Sequence, residues 1–123
     1  MLFLMPLAWP TGPSKALACR GCGTVVAFEE DLLSVMDRPV RAVYINPLGL
    51  AGEIVTLGGA LNLAWAPEAT TEHTWFEGYA WRPAACASCG LHLGWRYEAA
   101  RPDLDPPVFF GLLTSAVGPR RGP

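Results

Sequence analysis

The sequence carries no surplus of positive charge. Its 9 lysine and arginine residues are outnumbered by 11 aspartate and glutamate residues, so the net charge is -2, and Lys15 is the sole lysine. Proteins that grip phosphate backbones present a clustered basic surface. We therefore predict that nucleic acid is not a partner.

The sequence also lacks a long apolar run. Its longest candidate, Met1 to Trp9, is interrupted by Pro6 and closed by Pro10, and about 18 apolar residues are needed to cross a bilayer. We predict no membrane span. Ala16-Leu17-Ala18 resembles a small-residue cleavage site, but the preceding segment lacks the basic start of a secretory signal. We expect a cytoplasmic protein, with secretion as the alternative.

Uninterrupted helical segments are missing too, because the 123 residues include 13 glycines and 12 prolines. A hydrophobic fraction of 51% still supports one globular core. Short β-branched and aromatic runs between turn residues favour antiparallel strands. We predict an N-terminal arm at 1–16, one all-β domain at 17–117 and a disordered tail at 118–123. After a first hairpin near Ala18–Ala27 and one short helical turn from Phe28, the predicted strands are Val40–Ile45, Ile54–Leu57, Leu61–Trp65, Tyr79–Arg82, Leu91–Glu98 and Val108–Leu113.

Four cysteines form two matched turns of the pattern Cys-x-x-Cys-Gly. They are Cys19 with Cys22 and Cys86 with Cys89, followed by Gly23 and Gly90. A glycine there supplies the positive φ that lets two thiolates of a sharp turn reach one ion. Four thiolates make a closed, tetrahedral, structural zinc site, and we predict zinc as the cofactor, tying distant parts of the chain together. The alternatives are two disulfides or two redox dithiols.

Aromatic residues are concentrated near the second cysteine turn. Trp95 and Tyr97 alternate with other residues, which places both rings on one face of a strand. Trp75 and Trp81 flank a turn that brings its two ends together, so the rings could line one concavity. The alternative is that they are simply packed in the core. Glycines at Gly78 and Gly94 indicate space left beside a ligand.

These residues, in this order, resemble the CULT domain, the thalidomide-binding domain family of cereblon and of short single-domain proteins. The resemblance is carried by the two cysteine turns, by His92-Leu93-Gly94-Trp95 and by the segments Tyr44 to Gly49 and Glu72 to Trp81. It covers roughly residues 17–117. It implies the β-tent fold, in which two antiparallel sheets are set roughly at right angles and pinned by a zinc ion on four cysteines.

The resemblance also assigns roles to individual residues. Trp75, Trp81 and Trp95 are implied to be three walls of the ligand pocket, which Tyr97 closes. Hydrogen bonds to the ligand would come from His73 and the Trp75 backbone. The remaining assignment is Asn46, on the loop over the pocket mouth.

From these residues we expect a binding protein and not an enzyme. The expected partner is a cyclic imide, such as glutarimide or a thalidomide-like compound, a uracil- or uridine-like ring, or the cyclic imide at a protein's C-terminus. Alternatives are a cage for methylated ammonium groups, an enzyme acting on cyclic imides or pyrimidines, and a purely structural zinc module. Recruitment of a ubiquitin ligase is not expected, since the parts that dock to the ligase do not fit in this chain.

Overall fold

The computed structural model describes residues 15–120. Within this part of the chain there are nine β-strands and one 3-10 turn, the latter at Glu29–Asp31. The strands are β1 Ala16–Cys19, β2 Val25–Phe28, β3 Arg41–Ile45, β4 Ala51–Leu57, β5 Leu63–Trp65, β6 Tyr79–Cys86, β7 His92–Ala99, β8 Val108–Leu113 and β9 Val117–Pro119. No helix among residues 15–120 has the length and apolar character to span a membrane.

The strands form two antiparallel sheets. The small sheet has the order β2-β1-β9, and the large one has the order β3-β4-β8-β7-β6-β5. In the large sheet, β6 and β7 form the longest ladder, which runs from Tyr79 opposite Ala99 to Ala85 opposite His92. The predicted all-β class with two antiparallel sheets is confirmed.

The short helical turn expected after Phe28 is also found. Three consecutive acidic residues form it, and acidic side chains are favoured in a first helical turn, where backbone N–H groups lack partners. The Asp31 carboxylate accepts a hydrogen bond from the Phe28 N–H at 3.2 Å. The chain returns to an extended conformation at Leu32 (φ -59, ψ 135) and connects the two sheets.

Two apolar cores divide the molecule. One lies between the sheets beside the cysteines and includes Val26, Leu57, Leu93 and Leu112. The other lies on one face of the large sheet and is dominated by aromatic rings: Phe76, Tyr79, Tyr97 and Phe109, with Val35 and Ile54. β6 and β7 contribute to both cores, and the β6–β7 ladder shifts register between Ala84 and Ala85, where it passes from one core to the other.

The predicted C-terminal boundary is wrong by two residues. Gly118 and Pro119 belong to β9, and Gly118 pairs with Ala18 of β1. Gly118 is buried under the side chain of Arg20, where a Cβ would lie 2.6 Å from the guanidinium carbon. A proline-glycine composition suggested a tail because it carries no strand signal. Of the predicted arm and tail, residues 1–14 and 121–123 lie outside the described residues.

Candidate functional site

The four cysteines meet where the two sheets approach each other. Cys19 ends β1 of the small sheet and Cys86 ends β6 of the large sheet, while Cys22 and Cys89 lie in the turns that follow. All four Sγ atoms lie within 4.8 Å of one another. The pairs Cys19–Cys89 and Cys22–Cys86 are each 3.6 Å apart.

These distances fit a metal and not disulfides. A disulfide joins its sulfurs at about 2.05 Å, and all four cysteines are free. Thiolates around a tetrahedral zinc ion with bonds of about 2.3 Å are separated by roughly 3.8 Å. The donor set therefore suits zinc, which would be closed to water and would join the two sheets.

The glycines after each pair have the predicted backbone conformation. Gly23 has φ +80 and Gly90 has φ +81, and neither has a neighbour within 4 Å of a built Cβ. Space is thus available for a side chain at both positions, so the backbone conformation is what favours glycine. Gly21, inside the first turn, donates its N–H to the Cys19 sulfur at 3.3 Å.

The thiols affect one another's ionisation. The side chain and backbone of Thr24 hydrogen-bond to Cys22 and lower its pKa to about 6. At Cys89 a backbone hydrogen bond from Leu91 acts to lower the pKa, but burial and the three neighbouring thiols outweigh it and raise the pKa to about 12. Without a cation the cluster therefore resists collecting several negative charges, which a divalent ion would neutralise.

The aromatic residues come together on the face of the large sheet that carries the aromatic core. Trp81 of β6 is paired with Tyr97 of β7, and Trp95 precedes Tyr97 on the same face of β7. Trp75 is supplied by the β5–β6 loop, and its ring meets that of Trp95 edge to face at 5.1 Å. We call the three indoles of Trp75, Trp81 and Trp95 the cage.

The cage surrounds a cavity of about 270 Å³. All six residues predicted to bind a ligand line it, together with one that was not predicted. The lining residues are Asn46, Pro47, His73, Trp75, Trp81, Trp95 and Tyr97. The three indoles are half-buried, so they form both the margin of the core and the wall of the cavity.

Hydrogen bonds fix two of the indoles. The Trp75 ring N–H donates to the carbonyl of Ile45 at 3.1 Å, and the Trp81 ring N–H donates to the carbonyl of Glu72 at 2.8 Å. Both polar ring atoms are thereby satisfied by protein groups. The two rings offer their apolar surfaces to the cavity in a fixed orientation.

The family comparison fits this arrangement. Residues 15–119 match the family model described as "Yippee zinc-binding/DNA-binding /Mis18, centromere assembly". The chain belongs to the Yippee/Mis18 family. The zinc-binding character of that family agrees with the four clustered cysteines of this member.

Proteins named cereblon are similar over most of the chain. Cereblon of Xenopus tropicalis is 39% identical over 106 residues, which cover 85% of this chain and 24% of that protein. Cereblon of Drosophila melanogaster is 36% identical over 101 residues, covering 80% of this chain and 17% of that protein. This Yippee/Mis18 domain thus spans about a quarter or less of the length of the curated relatives it matches.

Tyr97, which was expected to close the pocket, is buried in the interior of this Yippee/Mis18 domain. It is only 2% exposed, and its ring stacks on Phe109 with centroids 4.7 Å apart and an interplanar angle of 8°. Burial raises the pKa of its hydroxyl, so the phenol stays neutral at physiological pH. Tyr97 therefore forms the floor of the cavity.

His73 and Asn46 lie at the cavity for different reasons. His73 is exposed, and its backbone has a positive φ of +58, a conformation that non-glycine residues adopt mainly at turns and functional sites. Asn46 uses its side-chain oxygen to accept the N–H groups of Leu48 and Leu50 at 3.0 and 2.9 Å. That carbonyl shapes the β3–β4 turn, which brings Pro47 to the cavity.

Sequence reasoning missed two supporting rings. Tyr44 stacks on Trp75 with centroids 5.2 Å apart and an interplanar angle of 19°. The ring of His92 meets that of Trp95 edge to face at 5.1 Å. Tyr44 lies in the motif used for the family resemblance, but nothing in the sequence indicates its contact with a residue 31 positions away.

The interpretation of Gly78 and Gly94 was wrong. A Cβ at Gly94 would lie 2.0 Å from the carbonyl oxygen of Gly111 on β8, and a Cβ at Gly78 would lie 2.7 Å from the side chain of Leu104. Both glycines therefore make room for neighbouring parts of the protein itself. Neither is among the residues that line the cavity.

Proposed function

We propose that this chain is a CULT-type domain that binds uncharged, planar rings of the cyclic imide or uracil class in its cage. The observation that carries the proposal is the cavity of about 270 Å³ walled by three indoles, two of which are oriented by hydrogen bonds. Flat apolar walls favour a flat ligand with apolar edges. The similarity to proteins named cereblon supports the assignment.

The polar edge of such a ring needs hydrogen-bond partners inside the cage, because an unpaired amide in an apolar site is unfavourable. His73 can supply them. Among residues 15–120 no hydrogen-bond partner is found for its backbone groups, and it lines the cavity. The fit between ring and cage walls then provides affinity, and the hydrogen bonds of the imide N–H and carbonyls provide specificity.

The expected affinity for a bare ring is modest. A ring of about eight heavy atoms at roughly 0.8 to 1 kcal/mol per atom reaches dissociation constants near the micromolar range. Larger ligands that extend through the cavity mouth would bind more tightly.

We propose binding without catalysis. The four cysteines are held at the metal cluster, where zinc would act as a staple with no open coordination position. Hydrolysis of an imide generally needs an open metal site or a nucleophile with its base. We also propose no nucleic-acid partner for this family member, since its net charge is -2.

The test is a titration of tryptophan fluorescence with glutarimide and, separately, with a trimethyl-lysine peptide. We expect glutarimide to change the emission saturably and the peptide to have no effect. Binding of the peptide alone would favour the methyl-ammonium alternative. Incubation with excess glutarimide should leave the ring intact; accelerated ring opening would instead establish an enzyme.

A further inference from the structure

Arg38 lies outside the cavity and contacts residues that support Trp75 of the cage. Arg38 ends a tight turn in which Met36 and Asp37 both have positive φ (+56 and +57). The Arg38 N–H donates to the Val35 carbonyl at 3.1 Å, and the Ser34 hydroxyl donates to the Arg38 carbonyl at 2.7 Å. These two hydrogen bonds fix the backbone of Arg38, from which its side chain extends toward Trp75.

The guanidinium of Arg38 acts on Trp75 in two ways. Its Nη1 donates to the Trp75 carbonyl at 2.6 Å. Its central carbon lies 4.7 Å from the ring centroid of Phe76 and 5.7 Å from that of Tyr44, both within cation–π range. Tyr44 is the ring that stacks on Trp75, so Arg38 holds both the backbone and the ring support of this indole.

The positive charge of Arg38 lies beside the residues that support the cage. Within residues 15–120 no ion pair joins Arg38 to a carboxylate. Its charge reaches the cavity floor, since it acts to lower the pKa of the Tyr97 hydroxyl against the larger effect of burial. A cation placed in the cage would lie near this half-buried positive charge, whereas a neutral ring meets no such repulsion.

We propose that Arg38 is a positioning residue that holds Trp75 in the cage and that its charge makes the site select uncharged rings over cations. The selectivity rests on the proposed function, whereas the positioning of Trp75 can be measured without a ligand. Both depend on the same side chain, which does not line the cavity.

The positioning is tested by NMR of the indole N–H groups in the zinc-loaded protein, with the Trp75 signal identified by its loss in Trp75→Phe. Arg38→Met should shift that signal and speed its exchange with water, because we expect Trp75 to lose the hydrogen bond from its ring N–H to the Ile45 carbonyl when Arg38 no longer holds its backbone. Arg38→Lys should restore most of it. Arg96→Met is the matched control: Arg96 also contacts a ring, that of Trp65 at 4.6 Å, but from the opposite face of the sheet.

An unchanged Trp75 signal in a folded Arg38→Met protein overturns the positioning role, as does an equal change in Arg96→Met. If Arg38→Met fails to fold or retain zinc, Arg38→Gln replaces it, since glutamine keeps a donor without the charge. Glutamine is shorter and uncharged and therefore loses the contacts with the Phe76 and Tyr44 rings, so the Trp75 signal should still shift. An unchanged signal in the folded Arg38→Gln protein would overturn the positioning role.

The selectivity is tested by titrating glutarimide and tetramethylammonium into the same proteins. Wild type should bind glutarimide and exclude the cation. Arg38→Met should lose about tenfold in glutarimide affinity, the usual effect of one charged hydrogen bond, and should gain affinity for tetramethylammonium. Arg38→Lys should restore exclusion of the cation. A wild type that takes the cation as well as glutarimide overturns the selectivity, and a wild type that binds neither overturns the proposed function while the NMR result still decides the positioning.

Discussion

Trp81 connects the cage to the β5–β6 loop through hydrogen bonds of both its backbone and its ring. Its backbone exchanges hydrogen bonds with Thr70 at 2.8 and 3.1 Å, and its ring N–H holds the carbonyl of Glu72. One residue of β6 thus anchors the loop that carries His73 and Trp75. Its ring lines the cavity, while its backbone hydrogen-bonds to the β5–β6 loop.

Replacing Trp81 with alanine separates these two parts. Trp81→Ala removes one wall of the cavity but leaves the backbone hydrogen bonds to Thr70, so we expect imide binding to be lost while zinc remains bound. Stability should fall by about 2 to 4 kcal/mol, since the ring is half-buried and packs beside the aromatic core. Isothermal titration with glutarimide and urea denaturation measure the two effects.

The control for this variant is Trp65→Ala. Trp65 of β5 is 44% exposed, pairs with Ala84 of β6 and does not line the cavity. Its replacement should leave imide binding within about twofold of wild type. If both variants lose binding equally, the loss reports general destabilisation, and the cage assignment of Trp81 is contradicted.

The residues of the cage and of the metal site could be predicted because each has a local signature, either a spacing or a motif. The depth of Tyr97 could not be predicted. Alternation places Tyr97 on the same face as Trp95, but only the position of Phe109 on β8, paired with it across the sheet, makes it the floor. The role of Gly94 was misread for the same reason, since its close neighbour, Gly111, also lies on β8.

At the scale of elements, charged side chains form an ion-pair network on the face of the β6–β7 ladder opposite the cage. Glu98 receives two hydrogen bonds from Arg82, at 2.7 and 3.1 Å, and one from Arg96 at 2.8 Å. The side chains of all three are only partly exposed, by 22% to 25%. The paired geometry of Arg82 makes this more than an isolated surface pair.

This network gives the ladder a pH-dependent stability. The hydrogen bond from Arg82, followed by that from Arg96, lowers the pKa of Glu98 in the folded state. A lowered folded-state value contributes stability that is present above the usual glutamate value, about 4.3, and is lost as the pH falls through the folded-state value. Glu98→Gln should therefore be less stable than wild type by about 1 kcal/mol at pH 7.

That difference should shrink as the pH falls from 5 into the range below the usual glutamate value, where the wild-type carboxylate also becomes protonated. Urea denaturation of both proteins at each pH measures it, and the loss of metal in acid affects both alike. Glu68→Gln, an exposed residue outside the strands, controls for the change in net charge. A difference that grows with acidity would contradict the assignment.

Strand order and bounds were less accessible than strand identity. The sequence predicts that the strand starting at Tyr79 ends at Arg82, because proline interrupts sheet hydrogen bonding, yet β6 continues to Cys86. The Pro83 carbonyl accepts the Ala66 N–H at 3.0 Å, just past the end of β5. The nitrogen of Pro83, which carries no hydrogen, also faces β5, and β5 has ended by that position. The proline therefore removes no hydrogen bond from the β5–β6 ladder. Only the pairing with β5 shows this.

At the scale of the whole molecule, the cysteine cluster lies where the small sheet meets the large one. The small sheet packs on the large one through one apolar core, which includes Cys19 and Cys86 themselves. The cage lies farther along β6 and β7, over the second core. Since β6 carries both Cys86 and Trp81, the metal site and the cage share a strand.

Removing one cysteine of the cluster should therefore affect the fold first and the cage as a consequence. Cys86→Ser leaves three thiolates and places a hydroxyl beside the apolar core, where Cys86 is 2% exposed. We expect zinc content to fall well below one ion per chain and the thermal midpoint to drop by more than 10 °C, since structural zinc contributes on the order of 10 kcal/mol. Imide binding should be lost with the fold. Absorption spectroscopy of the cobalt-substituted wild type should show four thiolate ligands. A chelator titration of wild type should show unfolding on metal removal. A wild-type protein that is purified without metal and remains folded would contradict the staple, and a cage that still binds glutarimide in that state would show that the two sites are independent.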